Sequence, residues 1–432
     1  MLKYLSILIT AIITSSYYFP NTFVWLPTIN TKLMLAVVGL FCFVFQSAKN
    51  KNIDAKDDYV ALFSMALVFS LACLFSVIYN NTADYAYASY FISMSVWLFG
   101  AYAVCQLIQK VHSEISIEIV AHYLIGVCVF QCVMALLIDN IPSVKSFVDA
   151  YVLQDQQFLT EVGRLYGIGA MLDTAGIRFS IVLVLISYLI SISNTTNLKP
   201  YFPYYVISFF IIMIIGNMMA RTTTVGVVMG IVYLASKQFF SVEEKPFKGK
   251  SINYLLVGLF LTMFIVTYFY NTNIEFQKNI KFGFEGFFSL MEEGEWQVGS
   301  NEQLKEMLVF PETFKTWLIG DGYFNNPIGT DPYYVGELMG GYYMGTDIGY
   351  CRFIFYCGVI GLLAFSLFMW RAAMLCAHKF PRAKMLMSFL LLVNFICWMK
   401  VSTDTFLIFA LLIMIDRQSD ELYSKRIRTI EA

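Results

Sequence analysis

A helix needs roughly 20 apolar residues to cross about 30 Å of hydrocarbon, because each residue rises about 1.5 Å. About twelve runs of this kind follow one another along the chain. They lie near residues 3–19, 31–47, 59–79, 87–107, 115–138, 174–193, 204–220, 223–240, 253–270, 350–374, 385–399 and 402–416. Runs of this length are too long for strands, and in lipid a helix satisfies its backbone polar groups within its own segment. The expected fold is therefore an all-α integral membrane bundle of about twelve transmembrane helices. Composition points the same way, with 58% hydrophobic and only 14% charged side chains against about half and a quarter in soluble domains. The 17% aromatic share excludes a disordered tail, and 29 basic residues against 30 acidic ones exclude a basic nucleic-acid binder. The nine cysteines fall in or beside apolar runs, without metal-site or disulfide spacing, and read as packing residues.

Orientation follows from lysine and arginine, which cytoplasmic loops retain. One set of loops carries Lys49, Lys51 and Lys56, then Lys245, Lys248 and Lys250, then Lys379, Arg382 and Lys384, and last Lys425, Arg426 and Arg428. The opposite loops at 20–30 and 80–86 carry none. The lysine-rich side and both termini are thus expected in the cytoplasm, and the first run, which lacks a convincing cleavage site, is expected to be retained. Two outer segments exceed simple turns: 139–173, and 271–349 between the ninth and tenth spans. The latter has about 79 residues where 2–8 are usual. It is acidic, with helical-looking stretches at 300–308 and 311–318, and is expected to form a helical cap. The chain divides accordingly into 1–270 (nine spans and the outer loop 139–173), 271–349 (the cap) and 350–432 (three spans and a cytoplasmic tail). No interrupted inverted repeat of the transporter kind is visible.

Charge at the outer ends of spans is costly and needs a reason. Arg164, Asp173, Arg178, Arg221, Asp347 and Arg352 form that set. Guanidinium groups hold phosphate oxygens by paired, charge-assisted hydrogen bonds, so several around one outward pocket point to a diphosphate. Snorkelling to lipid headgroups is the competing reading for each. Arg221 stands in the short connection between two runs, Met218 to Thr224, where a hairpin is expected. Asp347 precedes the tenth run and reads either as a helix cap or as a general base, with Arg352 neutralising it or not.

The loop is also rich in aromatics, among them Trp317, Tyr323, Phe324, Tyr333, Tyr334, Tyr342 and Tyr343. Such rings stack on sugars, and they also gather in interfacial belts. His112 and His378 fall in cytoplasmic loops and His122 within the fifth run, so neither an outer catalytic histidine nor a metal cluster is expected.

Several segments resemble one family. Met218-Met219-Ala220-Arg221-Thr222 is similar to the small-residue-Arg element at the helix hairpin of bacterial O-antigen polymerases and ligases. Leu318-Ile319-Gly320-Asp321-Gly322-Tyr323 resembles their Gly-x-Gly-aromatic element. Asp347-Ile348-Gly349-Tyr350, followed by Tyr356-Cys357-Gly358-Val359-Ile360-Gly361, resembles the loop exit and next helix of the polymerase branch. The likeness covers roughly residues 160–365 and the plan of spans.

The resemblance implies a GT-C-type membrane glycosyltransferase that joins oligosaccharide repeats carried on undecaprenyl diphosphate in the periplasm. It needs no cofactor, nucleotide or metal. Its partners would be membrane lipid and a chain-length regulator. The diphosphate-holding arginines map by motif onto Arg221 and by position onto Arg164, Arg178 and Arg352, with Tyr323 and Tyr350 as further substrate-binding candidates and Asp347 as catalytic candidate. The ligase branch has a histidine near the end of the large loop. Asp347 stands in that neighbourhood here, which favours a polymerase over the lipid A core ligase. A flippase of lipid-linked sugars is the rival of another class.

Overall fold

The computed structural model describes residues 2–49, 56–154, 159, 163–240, 246, 250–327 and 341–428. Of the residues named above, Lys51, Lys245, Lys248, Tyr333 and Tyr334 lie outside the described residues.

The described residues are mostly helical. It begins with α1 (Leu2–Tyr18), a short hairpin of β1 (Thr22–Phe23) and β2 (Leu26–Asn30), α2 (Thr31–Lys49), α3 (Lys56–Tyr79), α4 (Tyr90–His112), α5 (Ile117–Asn140) and α6 (Pro142–Tyr151). It continues with α7 (Leu172–Ser193), α8 (Phe202–Met219), α9 (Thr223–Phe240) and α10 (Lys250–Thr272). The 271–349 segment holds α11 (Ile274–Gly283), α12 (Glu285–Glu292), α13 (Gly299–Glu306) and α14 (Phe314–Ile319). Last come α15 (Gly349–Lys379), α16 (Lys384–Cys397), α17 (Phe406–Met414) and α18 (Arg417–Arg428).

Among the described residues, nine helices are long and apolar enough to cross a membrane. They leave large side chains such as Phe41, Phe45, Phe260 and Phe264 about 70% exposed, a surface that a soluble monomer does not carry. The fold is that of a multi-pass α-helical membrane protein. At its centre stands α7, with 94% of an 18-residue apolar stretch buried, whereas the corresponding stretch of α10 is 6% buried and peripheral. Close approach at the centre depends on small residues. A Cβ on Gly226 of α9 would lie 2.2 Å from Ser180 Cα of α7, and the Ser180 hydroxyl donates to Thr222 O at 2.9 Å while accepting from Gly226 N at 3.0 Å.

The other three apolar runs form shorter helices. α1 has 17 residues, α16 has 14 and α17 has 9. At about 1.5 Å per residue, α16 and α17 fall short of the hydrocarbon thickness. The peptide joining them, 398–405, is non-helical, and such backbone is tolerated at depth where protein satisfies it. Asn394 Oδ1 accepts from Thr405 N at 2.9 Å, Asp404 Oδ1 from Phe406 N at 2.8 Å, and Trp398 O from Tyr350 N at 3.2 Å. The β1–β2 hairpin is a further departure from the all-helical expectation; Phe23 also bridges to Val152.

The expected hairpin forms: α8 and α9 are joined by Ala220, Arg221 and Thr222 alone. Helices also appear where the 271–349 segment looked helical, as α13 and α14. The Gly320-Asp321-Gly322 element docks this segment on a break in α15. Gly358 interrupts that helix at φ 66°, and a Cβ there would lie 2.1 Å from Leu318 O. Carbonyls near the break are taken up locally: Asp321 N donates to Phe355 O at 2.6 Å, Gly322 N to Tyr356 O at 3.2 Å, and the Ser76 hydroxyl to Tyr356 O at 2.7 Å. Motif and kink thus form one joint.

Candidate functional site

Asp347 lies two residues before α15 and is not its cap. The N-cap position is Ile348, and no side chain caps this helix. The carboxylate instead faces Arg352 five residues on, with Oδ1 3.9 Å from Nη1, and has Asp173, Lys400 and the Tyr342 hydroxyl as electrostatic neighbours. Asp173 comes from the first turn of α7. It accepts from the Thr222 hydroxyl at 2.6 Å and pairs with Lys400 at 3.6 Å. Two carboxylates and two cations from α7, α15 and the 398–405 peptide therefore share one place. Burial, and next the charge of Asp173, push Asp347 from 3.8 up to about 6, against the pull of Arg352 and Lys400. A carboxylate with that value can hold or accept a proton near neutral pH, which is what a general base requires.

Arg352 is 7% exposed and heavily engaged. Its Nη1 donates to Ser402 Oγ at 3.1 Å, and its Nη2 to Phe324 O at 3.1 Å and Asn325 Oδ1 at 3.0 Å. The guanidinium lies between the rings of Phe324 and Tyr342, at 3.7 and 4.1 Å from their centroids. It staples the 271–349 segment to the bundle and leaves Asp347 partly neutralised, so its geometry is that of a positioning residue.

Arg221 belongs to an adjoining cluster, since its neighbour Thr222 reaches Asp173. Its Nη1 lies 2.6 Å from Glu285 Oε2 and donates to Ser300 Oγ at 2.9 Å, while the guanidinium stacks on Phe282 at 4.1 Å. Arg164 stacks on the same ring at 4.8 Å. Burial lowers the Arg221 pKa, Glu285 opposes that, and Arg164 adds to it. The Nε atoms of both arginines are buried without a hydrogen-bond partner. Arg164 also lines a small open pocket with Asp139, Lys145 and Tyr166.

Of the predicted site residues, Arg164 and Arg221 come together, as do Asp347 and Arg352. Arg178 lies elsewhere, stacked on Phe19 at 5.4 Å and facing Asp404. Tyr350 donates its hydroxyl to Phe395 O at 2.8 Å and packs edge-on against Trp398, a structural placement. Tyr323 is 8% exposed and packs on Tyr343. Sequence reasoning missed Lys400, Glu285, Phe282, Lys32 and Asp404. Lys400 and Asp404 carried a usable signal, because both are charges at the edges of apolar runs. Glu285 and Phe282 had none, since their partners are 64 and 61 residues away in sequence. Among the described residues no group of three His, Cys, Asp or Glu side chains could hold a metal.

No family model, curated protein or solved structure matches the chain.

Proposed function

We propose that this protein is a GT-C-type membrane glycosyltransferase that extends a bacterial surface polysaccharide. It would move the growing glycan from undecaprenyl diphosphate to the sugar end of a lipid-linked repeat. The observation that carries the reading is the half-buried Asp347 carboxylate, held near neutral pKa among Asp173, Arg352 and Lys400 at the end of the bundle where Arg221 and Arg164 converge. The acceptor sugar hydroxyl gives its proton to Asp347 as its oxygen attacks the anomeric carbon. The carbon–oxygen bond to the diphosphate breaks, and the leaving diphosphate carries the electron pair. Cations placed where that charge grows lower the barrier, and Arg221 and Lys400 are the groups with donors to offer.

In this reading the twelve runs all act as spans, α16 and α17 completing the last two with the part-buried peptide between them. The 271–349 segment is periplasmic, both termini are cytoplasmic, and the protein sits in the inner membrane beside a chain-length regulator. The test is reconstitution of the full chain in liposomes with an undecaprenyl-diphosphate-linked repeat. A ladder of lengthened glycans that disappears with Asp347→Asn supports the reading. Unchanged single repeats with folded, correctly inserted protein overturn it.

A further inference from the structure

A second cluster of charge lies apart from Asp347. Lys32 stands in the first turn of α2, Arg178 in the second turn of α7, and Asp404 just before α17; all three are half-buried. Asp404 has Lys32 and Arg178 as its cationic neighbours, and the Tyr90 hydroxyl also faces it. Each cation rests on an aromatic ring: Lys32 Nζ is 4.2 Å from the centroid of Trp97, and the Arg178 guanidinium 5.4 Å from that of Phe19. Among the described residues neither makes a side-chain hydrogen bond, nor an ion pair within 4.0 Å. Stacking holds a guanidinium by its face and leaves its in-plane N–H donors available.

Two cations therefore face one carboxylate, and one positive charge is left over. An uncompensated charge among half-buried groups is costly and marks a place that an anion completes. The cluster is tied to the first site by two elements. α7 carries Asp173 to one and Arg178 to the other, and the 398–405 peptide carries Lys400 and Ser402 to one and Asp404 to the other.

We propose that Lys32 and Arg178 form a second oxyanion site, which takes the diphosphate of a second polyprenyl-linked molecule. The assignment to a lipid-linked substrate rests on the function proposed above, in which donor and acceptor each bring a diphosphate. Asp404 tempers the site, so that the anion binds without being locked in.

The test is calorimetry of the full chain in detergent with farnesyl diphosphate as probe. Two diphosphates per chain are expected, falling to one with Lys32→Gln or Arg178→Gln, whose removal of a charged donor weakens the second site by about tenfold or more. Asp404→Asn keeps an acceptor for Phe406 N and removes the opposing charge, so it should tighten the second site by about threefold or more. A merely structural cluster would not gain affinity. One diphosphate per chain, with affinity unmoved by Lys32→Gln and Asp404→Asn, overturns the proposal, as does displacement of the second probe by phosphatidylglycerol at equal concentration, which would make this a headgroup site. Binding is read without turnover, so two diphosphates in a protein that makes no polymer would leave the site standing and sink the polymerase reading.

Discussion

Arg221 and Glu285 meet at 2.6 Å across the boundary between the α8–α9 connection and the 271–349 segment. A carboxylate thus occupies the guanidinium that the proposed function assigns to a diphosphate. The pair is part-exposed, 17% and 37% at the two side chains, so its own contribution to stability is about 0–1 kcal/mol. Glu285→Gln should therefore leave thermal stability in detergent nearly unchanged and raise affinity for farnesyl diphosphate several-fold. Arg221→Lys keeps the charge but loses the planar fork, and polymer formation should fall about tenfold or more. Unchanged polymer length in well-expressed Arg221→Lys would remove this residue from the site.

The joint at Gly358 makes a structural prediction. Its φ of 66° disfavours any side chain, and a Cβ would lie 2.1 Å from Leu318 O and 2.2 Å from Leu318 C. Backbone on both sides leaves nothing flexible to yield. Gly358→Ala should cost about 3 kcal/mol or more by strain and displaced packing. The check is a thermal melt in detergent, where Gly361→Ala, which meets only the Cys357 side chain, should cost less.

The spans were legible in the sequence because a bilayer demands long apolar helices and little else mimics them. The last two runs were legible only as apolarity. Hydropathy ends one run at 399 and starts the next at 402, but cannot see that Asn394 and Asp404 hold a non-helical peptide over 398–405. Asp347 and Arg352 could be paired only by their nearness in sequence, since Asp347 precedes the helix that carries Arg352. That Asp173 and Lys400 join them could not, since Asp347 lies 174 residues from one and 53 from the other. The Gly320-Asp321-Gly322 element drew attention as a motif, and its contacts with Phe355 and Tyr356 give it a docking role.

Orientation is testable by cysteine labelling. Cys42 is the one exposed native thiol, so a Cys42→Ser background suits the experiment. A cysteine at the exposed Glu302 should react with an impermeant maleimide in intact spheroplasts, and one at Arg417 only after permeabilisation. The reverse pattern would place the proposed site on the wrong side of the membrane.

The opposite end of the bundle is held by Arg382, which pairs with Glu118 at 3.0 Å and Asp420 at 2.7 Å. Those carboxylates are 0% and 3% exposed, and Tyr188 also donates to Glu118 at 2.9 Å. Arg382→Met would leave both buried acids without their cation, costing about 3–5 kcal/mol. Adding Glu118→Gln and Asp420→Asn to that variant should restore part of the loss in a thermal melt. Additive losses in the triple variant would show that the three groups do not act as a unit.

Asp347 separates catalysis from structure most cleanly, because stability favours its protonated form and catalysis its ionised form. Its folded value of about 6 lies above the ordinary 3.8, so the protonated form is favoured in the folded protein. Its stabilising contribution is full below about pH 4 and is lost as pH rises through about 6. Asn is neutral and similar in shape, so Asp347→Asn should be at least as stable as the parent at pH 8. A base must be ionised to act, so the parent's rate of glycan extension should rise with pH through about 6 and then level. The Asn variant should lose about 10²-fold or more at the plateau. Arg352 lowers the Asp347 value, so Arg352→Gln should move the midpoint of the rate profile to higher pH in whatever fraction folds. Lipid-linked repeat in liposomes between pH 5 and 8 supplies the readout, with melts in the same buffers. A pH-independent rate, or full activity of a stable Asp347→Asn protein, would exclude Asp347 as the base.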